Sequence, residues 1–122
     1  KHKIPFFVDT VAQRSTLEFL RGSGYNVYIP SHGEPVYNIV QTADIYTGLI
    51  NDIEKYSLEI LSERMTGTRY LKEICSRFDI DIRSVQQYHL MNTITLAYLG
   101  SMHSQGLIEY ILEENTLYWR KK

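Results

Sequence analysis

Tyr28-Ile29-Pro30-Ser31-His32-Gly33-Glu34-Pro35-Val36 is the stretch on which the reading of this chain turns. A short β-rich run, Tyr25-Asn26-Val27-Tyr28-Ile29, feeds into a Pro-Ser-His-Gly turn, and long helical periodicity follows. That order predicts an imidazole at the carboxyl end of a strand, where ligands and metals gather in layered α/β folds. A metal site needs several donors, so local chemistry alone also allows a surface turn that happens to contain histidine.

Upstream, Ile4-Pro5-Phe6-Phe7-Val8 is short and apolar, and Pro5 suits an edge strand or an extended lead-in. Asp9 and Thr10 offer an N-cap to a helix with Val11, Ser15, Leu17 and Leu20 on one face. Gly22 and Gly24 stop it, and the strand Tyr25–Ile29 follows. Helix, glycine turn and strand form the close of a layered α/β unit. A lone strand leaves its own backbone groups unpaired, so this one calls for neighbours that the rest of the chain does not supply.

The run Ile29-Pro30-Ser31-His32-Gly33-Glu34-Pro35 resembles the last metal-ligand motif of the metallo-β-lactamase-fold hydrolases. There, a late strand ends in a Pro-Gly/Ser-His-Gly turn followed by a short polar-Pro segment. The resemblance extends upstream through Ile4–Asp9 and the helix ending near Leu20. Downstream, many members carry an appended helical, winged-helix-like region. It implies that residues 1–37 are the C-terminal end of a hydrolase domain and that His32 is a metal ligand. It also implies a parent enzyme using one or two ions, zinc or iron, to activate water or bind substrate. The superfamily's main ligand run, His-x-His-x-Asp-His, is absent from this sequence. With fewer than the three protein ligands of a catalytic zinc, the chain is expected to hold no metal stably and to be catalytically silent alone. Its missing donors would belong to the remainder of the parent domain.

Beyond Pro35, residues 38–122 read as a helical module. Ile39, Ala43, Tyr46 and Ile50 make one stripe, and Ile45, Leu49, Ile53, Tyr56 and Ile60 an adjacent one. Thr42 or Asp44 marks a possible break, and Met65-Thr66-Gly67 reads as the end of this helix. Thr68 is the expected cap of a short helix burying Leu71, Ile74, Cys75 and Phe78, and Asp81 that of the next. The latter runs through Val85, Tyr88, Met91, Thr95, Leu99 and Met102 to Gly106. Leu107–Leu112 and Thr116–Trp119 read as two strands around a Glu113-Glu114-Asn115 turn. Helix, short helix, helix, hairpin is the winged-helix order. The expected fold is therefore α+β and mostly helical: a remnant of a layered metallo-hydrolase domain followed by a winged-helix-like module.

Composition bounds the function. A chain of 122 residues with 43% hydrophobic content can build a core. Thirteen basic against fourteen acidic residues argue against a general polyanion binder. From Thr66 onward seven bases face six acids. The third helix has Arg83 near its start and no Lys or Arg again before Gly106, and Glu113 and Glu114 sit in the wing turn. Gln86, Gln87, Asn92 and Thr93 could read base edges, but positioning charges are scarce, so nucleic acid is not the expected partner. A single cysteine excludes an internal disulfide and, with no evident leader, suggests a cytoplasmic protein. No apolar run approaches the roughly 18–20 residues that span a bilayer. The chain opens on Lys1 and reaches a strand-like run at once, so a fragment of a longer protein is expected. The unpartnered strand and the Ile4–Val8 run also predict a homo-oligomer.

Other candidates have plainer readings. Asp9 suits a cap, Glu34 a solvated carboxylate rather than a general base, and Cys75 a small buried hydrophobe. His89 and His103 share one helix but stand roughly 20 Å apart at 1.5 Å per residue, too far for one metal.

Overall fold

The computed structural model describes residues 9–29 and 34–122. The Ile4–Val8 run and His32, with the metal role expected of it, lie outside the described residues. Among those described, four helices and a three-stranded antiparallel sheet form a mixed α+β fold, mostly helical. No described helix is long and apolar enough to cross a membrane.

Helix α1 (Thr10–Arg21) begins where expected: the Asp9 carboxylate accepts from Ala12 N at 3.0 Å, satisfying one of the unpaired amides of the first turn. It ends at Gly22. The predicted strand Tyr25–Ile29 is reduced to a single bridge, in which Tyr28 and Val36 exchange two backbone bonds of 2.7 Å. Without a second strand beside it, the segment has no ladder to join.

Helix α2 (Ile39–Ile60) is capped by Asn38 and runs unbroken through Thr42 and Asp44. Neither residue supplies a break because Ile39, Ala43, Ile50 and Ile53 carry one buried face along the whole helix. Met65-Thr66, expected to close a helix, is instead strand β1, paired antiparallel with Trp119 and Tyr118 of the last strand. Gly67 is the first residue of helix α3 (Gly67–Arg77), capped by Thr66 rather than Thr68. Helix α4 (Val85–Ser104) is capped by Ser84, not Asp81. Asp81 is taken by Arg83 at 2.7 Å.

Gly106 ends α4 in the left-handed region (φ 76°). Its amide reaches His103 O and that of Leu107 reaches Met102 O, the paired bonds of a Schellman cap. Strands β2 (Ile108–Glu113) and β3 (Thr116–Lys121) follow. Glu114 and Asn115 both have positive φ, as a two-residue hairpin turn of the right twist requires. The sheet order is β1-β3-β2.

One buried cluster joins these elements. Leu17 of α1 belongs to the same buried cluster as Ile50 and Ile53 of α2, Tyr70 and Ile74 of α3, Tyr98 and Leu99 of α4, and Ile108 of β2. Helix α1 is therefore docked on the same core as the helices and sheet that follow. Polar ties reinforce the docking: Thr10 N donates to Ser101 Oγ at 3.2 Å, and Arg14 meets Asn51 at 2.6 Å and Glu54 at 3.2 Å.

Candidate functional site

Two regions of the described chain bear on function: the segment leading into the His32 turn, and the outer side of α4 with the hairpin beside it. In the first, the Tyr28–Val36 bridge ties together the two described stretches on either side of residues 30–33. Its flanks are open to solvent. Ile29 is 76% exposed, and Glu34 and Pro35 are exposed as well. Tyr25, Val27 and Tyr28 also present apolar surface to water, on successive rather than alternate positions. A half-buried strand would hide every second residue.

A catalytic zinc takes three protein ligands. Among the described residues, no three His, Cys, Asp or Glu side chains lie together, so this part of the chain does not by itself fit a zinc or iron centre. The sequence candidates are dispersed. Asp9 is engaged as a helix cap. His89 lies on the outer side of α4 next to Tyr88, with ring centroids 6.0 Å apart. His103 belongs to an aromatic group instead, its ring 4.9 Å from Tyr110 and 6.3 Å from Trp119. Cys75 is buried, and burial pushes its thiol pKa up, which keeps it protonated and a poor nucleophile.

The second region is defined by what it lacks. Helix α4 carries no Lys, Arg, Asp or Glu along its length. Met91, Ile94, Tyr98, Leu99 and Met102 fill its buried side, yet Val85, Leu90 and Leu96 remain exposed on other sides. The hairpin adds Tyr110, Leu112 and Leu117 to this exposed apolar surface. Glu109 and Glu113 of the hairpin are paired within the chain. Arg120 binds Glu109 at 3.0 Å through Nε, and Arg64 grips Glu113 with two bonds of 3.0 and 3.2 Å while covering the Tyr118 ring at 4.2 Å. The Arg64 guanidinium holds the Glu113 carboxyl below its ordinary pKa. An open groove of 770 Å³ beside α3 has Leu71, Cys75, Ile80 and Ile82 in its lining, with Arg69 and Lys72 also present. The sequence places Glu113 in the hairpin turn; it is the last residue of β2, and no local signal announces its partner, since Arg64 lies far from it in the chain.

Two buried tyrosines behind this surface differ in their partners. The Tyr70 hydroxyl lies 2.6 Å from Ser57 Oγ, whereas the Tyr98 hydroxyl has no partner among the described residues. Burial raises the pKa of both, so both stay neutral. An unsatisfied buried hydroxyl costs about 1–3 kcal/mol, and a made hydrogen bond contributes about 1 kcal/mol. Tyr98→Phe is therefore expected to stabilise the chain by about 1 kcal/mol, and Tyr70→Phe to destabilise it by a similar amount. Urea denaturation that gives both variants the same sign of change would refute this assignment.

No protein-family model matches the chain, and no curated protein sequence matches it.

Proposed function

We propose that this chain is the C-terminal portion of a metal-dependent hydrolase of the metallo-β-lactamase superfamily, not catalytically competent alone and ending in a winged-helix-like module. The observation that carries this reading is the segment Tyr25–Ile29. Its strand-forming side chains are exposed at successive positions, 59% at Tyr25 and 76% at Ile29, and its only backbone partner among the described residues is Val36. Such a segment fits the edge of a sheet supplied by an upstream part of the same domain, with the His32 turn at its end. In that assembly the neutral imidazole of His32 would be one ligand, and zinc or iron would supply Lewis acidity to a bound water. Measuring metal content and ester or phosphodiester hydrolysis of the longer parent, with and without His32→Ala, tests this. The substitution is expected to lower both; metal content and turnover that do not change would refute the ligand role.

The trailing module supports a second, compatible reading. Helix α2, strand β1, helices α3 and α4, and the β2–β3 hairpin follow in winged-helix order, with β1 added beside β3. We infer that it serves protein contact rather than nucleic-acid binding. The helix that would enter a groove has no Lys or Arg, Arg83 before it is bound to Asp81, Arg120 of the hairpin is bound to Glu109, and Arg64 before β1 is bound to Glu113. Phosphate binding needs several free cations, each steepening the salt dependence. The chain is expected to give no shift of duplex DNA even at low ionic strength. A shift that weakens steeply with added salt would restore the nucleic-acid reading.

A further inference from the structure

We propose that β2 is a dimerisation edge: a second copy of this chain pairs antiparallel with Ile108–Glu113 about a two-fold axis at Tyr110, joining two sheets into one. Among the described residues, the sheet order β1-β3-β2 leaves one side of β2 without a neighbour. Hydrogen-bond parity determines which groups lie there. Lys122 N donates to Leu107 O at 3.1 Å, and the register pairs Glu109 with Arg120 and Ile111 with Tyr118. Leu107, Glu109, Ile111 and Glu113 thus turn their backbone groups toward β3, and Ile108, Tyr110 and Leu112 turn theirs outward. No described residue bonds to those outward groups.

Exposed strand edges are usually blunted by lysine, proline, a bulge or a covering element. β2 reads Ile-Glu-Tyr-Ile-Leu-Glu, with no lysine or proline, and its register with β3 runs without a bulge. Its exposed side chains are apolar where the backbone is bare: Tyr110 is 55% and Leu112 73% exposed.

Charge and register select the occupant. With the axis at Tyr110, each Leu112 faces Ile108 of the second copy, and each Glu109 faces Ile111. No acid opposes an acid directly, and Glu109 and Glu113 are already neutralised by Arg120 and Arg64. An axis at Ile111 would set Glu109 against Glu113, and one at Glu109 would set it against itself; like charges directly opposite are destabilising. A strand compatible with its own antiparallel copy in one register meets the requirement of an isologous contact. Pairing would also make the Tyr110 and Leu112 rows of both copies continuous, beside Trp119 and Leu117 of β3. Helix α4 brings no Lys, Arg, Asp or Glu to it; the α4 side chain beside Tyr110 is His103. This contact is independent of the hydrolase reading.

Sedimentation equilibrium of the chain, combined with amide hydrogen exchange at low and high concentration, tests the proposal. The chain is expected to dimerise, with the Ile108, Tyr110 and Leu112 amides gaining protection as concentration rises. Leu112→Lys, at a position too exposed to unsettle the fold, should weaken the dimer by about tenfold or more, while Leu112→Thr should retain it. Tyr110→Lys provides a second disrupting variant. A chain that stays monomeric, a dimer insensitive to both lysine variants, or protection that changes elsewhere but not at these three amides would overturn it.

Discussion

Leu17→Ala is expected to lower the stability of the whole chain by about 2–4 kcal/mol, in a single cooperative transition. Leu17 is 5% exposed and is the one buried hydrophobic side chain of α1. It enters the same cluster as Ile50, Ile53 and Leu99, so truncating it opens a cavity in the common core rather than in a private one. The polar ties around it cannot replace it. The Arg21–Asp44 pair is more than half exposed on both sides, and such pairs contribute about 0–1 kcal/mol. Arg21→Ala should therefore change stability by less than about 1 kcal/mol. Urea denaturation followed by circular dichroism distinguishes the cases. If α1 melts first in Leu17→Ala and the remaining helices keep the parent midpoint, α1 is a separable arm and the shared-core account fails.

This test bears on the organisation read from the sequence, in which residues 1–37 and 38–122 belong to different units. The helix itself was legible: Asp9 caps it, Leu17 faces inward and Gly22 stops it, all through local chemistry. Its docking was not. Arg14 finds Asn51 and Glu54, and Thr10 finds Ser101, across separations that no window of sequence reports. The metal ligand read at His32 falls outside the described residues, and the segment before it forms one bridge in place of the expected strand.

The errors downstream share that cause. Met65-Thr66-Gly67 carries a glycine after a long apolar pattern, which locally resembles a helix end. The actual end is earlier, at Leu61, because Met65 and Thr66 pair with Trp119 and Tyr118, more than fifty positions away. Thr66 then caps α3 from within that strand, leaving Gly67 as a helix start, where a built Cβ would come within 3.6 Å of Leu96. The cap of α4 failed differently. Asp81 and Ser84 are both good caps by type; the helix starts at Val85, so Ser84 accepts from Gln87 N, while Asp81, three residues upstream, pairs locally with Arg83. The hairpin was legible because its signals are local, two β-rich runs around a polar turn that ends in asparagine, although the turn is two residues rather than three and Glu113 belongs to β2.

Helix α4 marks the clearest limit, and Leu99→Ala against Leu96→Ala measures it. Leu99→Ala is expected to cost about 2–5 kcal/mol and Leu96→Ala less than about 1 kcal/mol. The two leucines stand three apart on a helix with apolar residues on every side; the stripe read through Met91, Thr95, Leu99 and Met102 selects Leu99, but the same stripe fails at its start, where Val85 is 70% exposed. The structure separates them: Leu99 is fully buried in the central cluster, and Leu96 is 43% exposed beside Gly67. Removing Leu99 leaves a cavity among side chains from other helices, which relax only partly around it. Removing Leu96 withdraws area that water already reaches, so little transfer free energy is lost. Thermal melts at low concentration, where chains are separate, should show this ordering. At high concentration the Leu96 variant should still lose little, since the dimer proposed here pairs through β2 rather than α4. A large loss for Leu96→Ala that appears only with rising concentration would instead place the contact between copies on the helix.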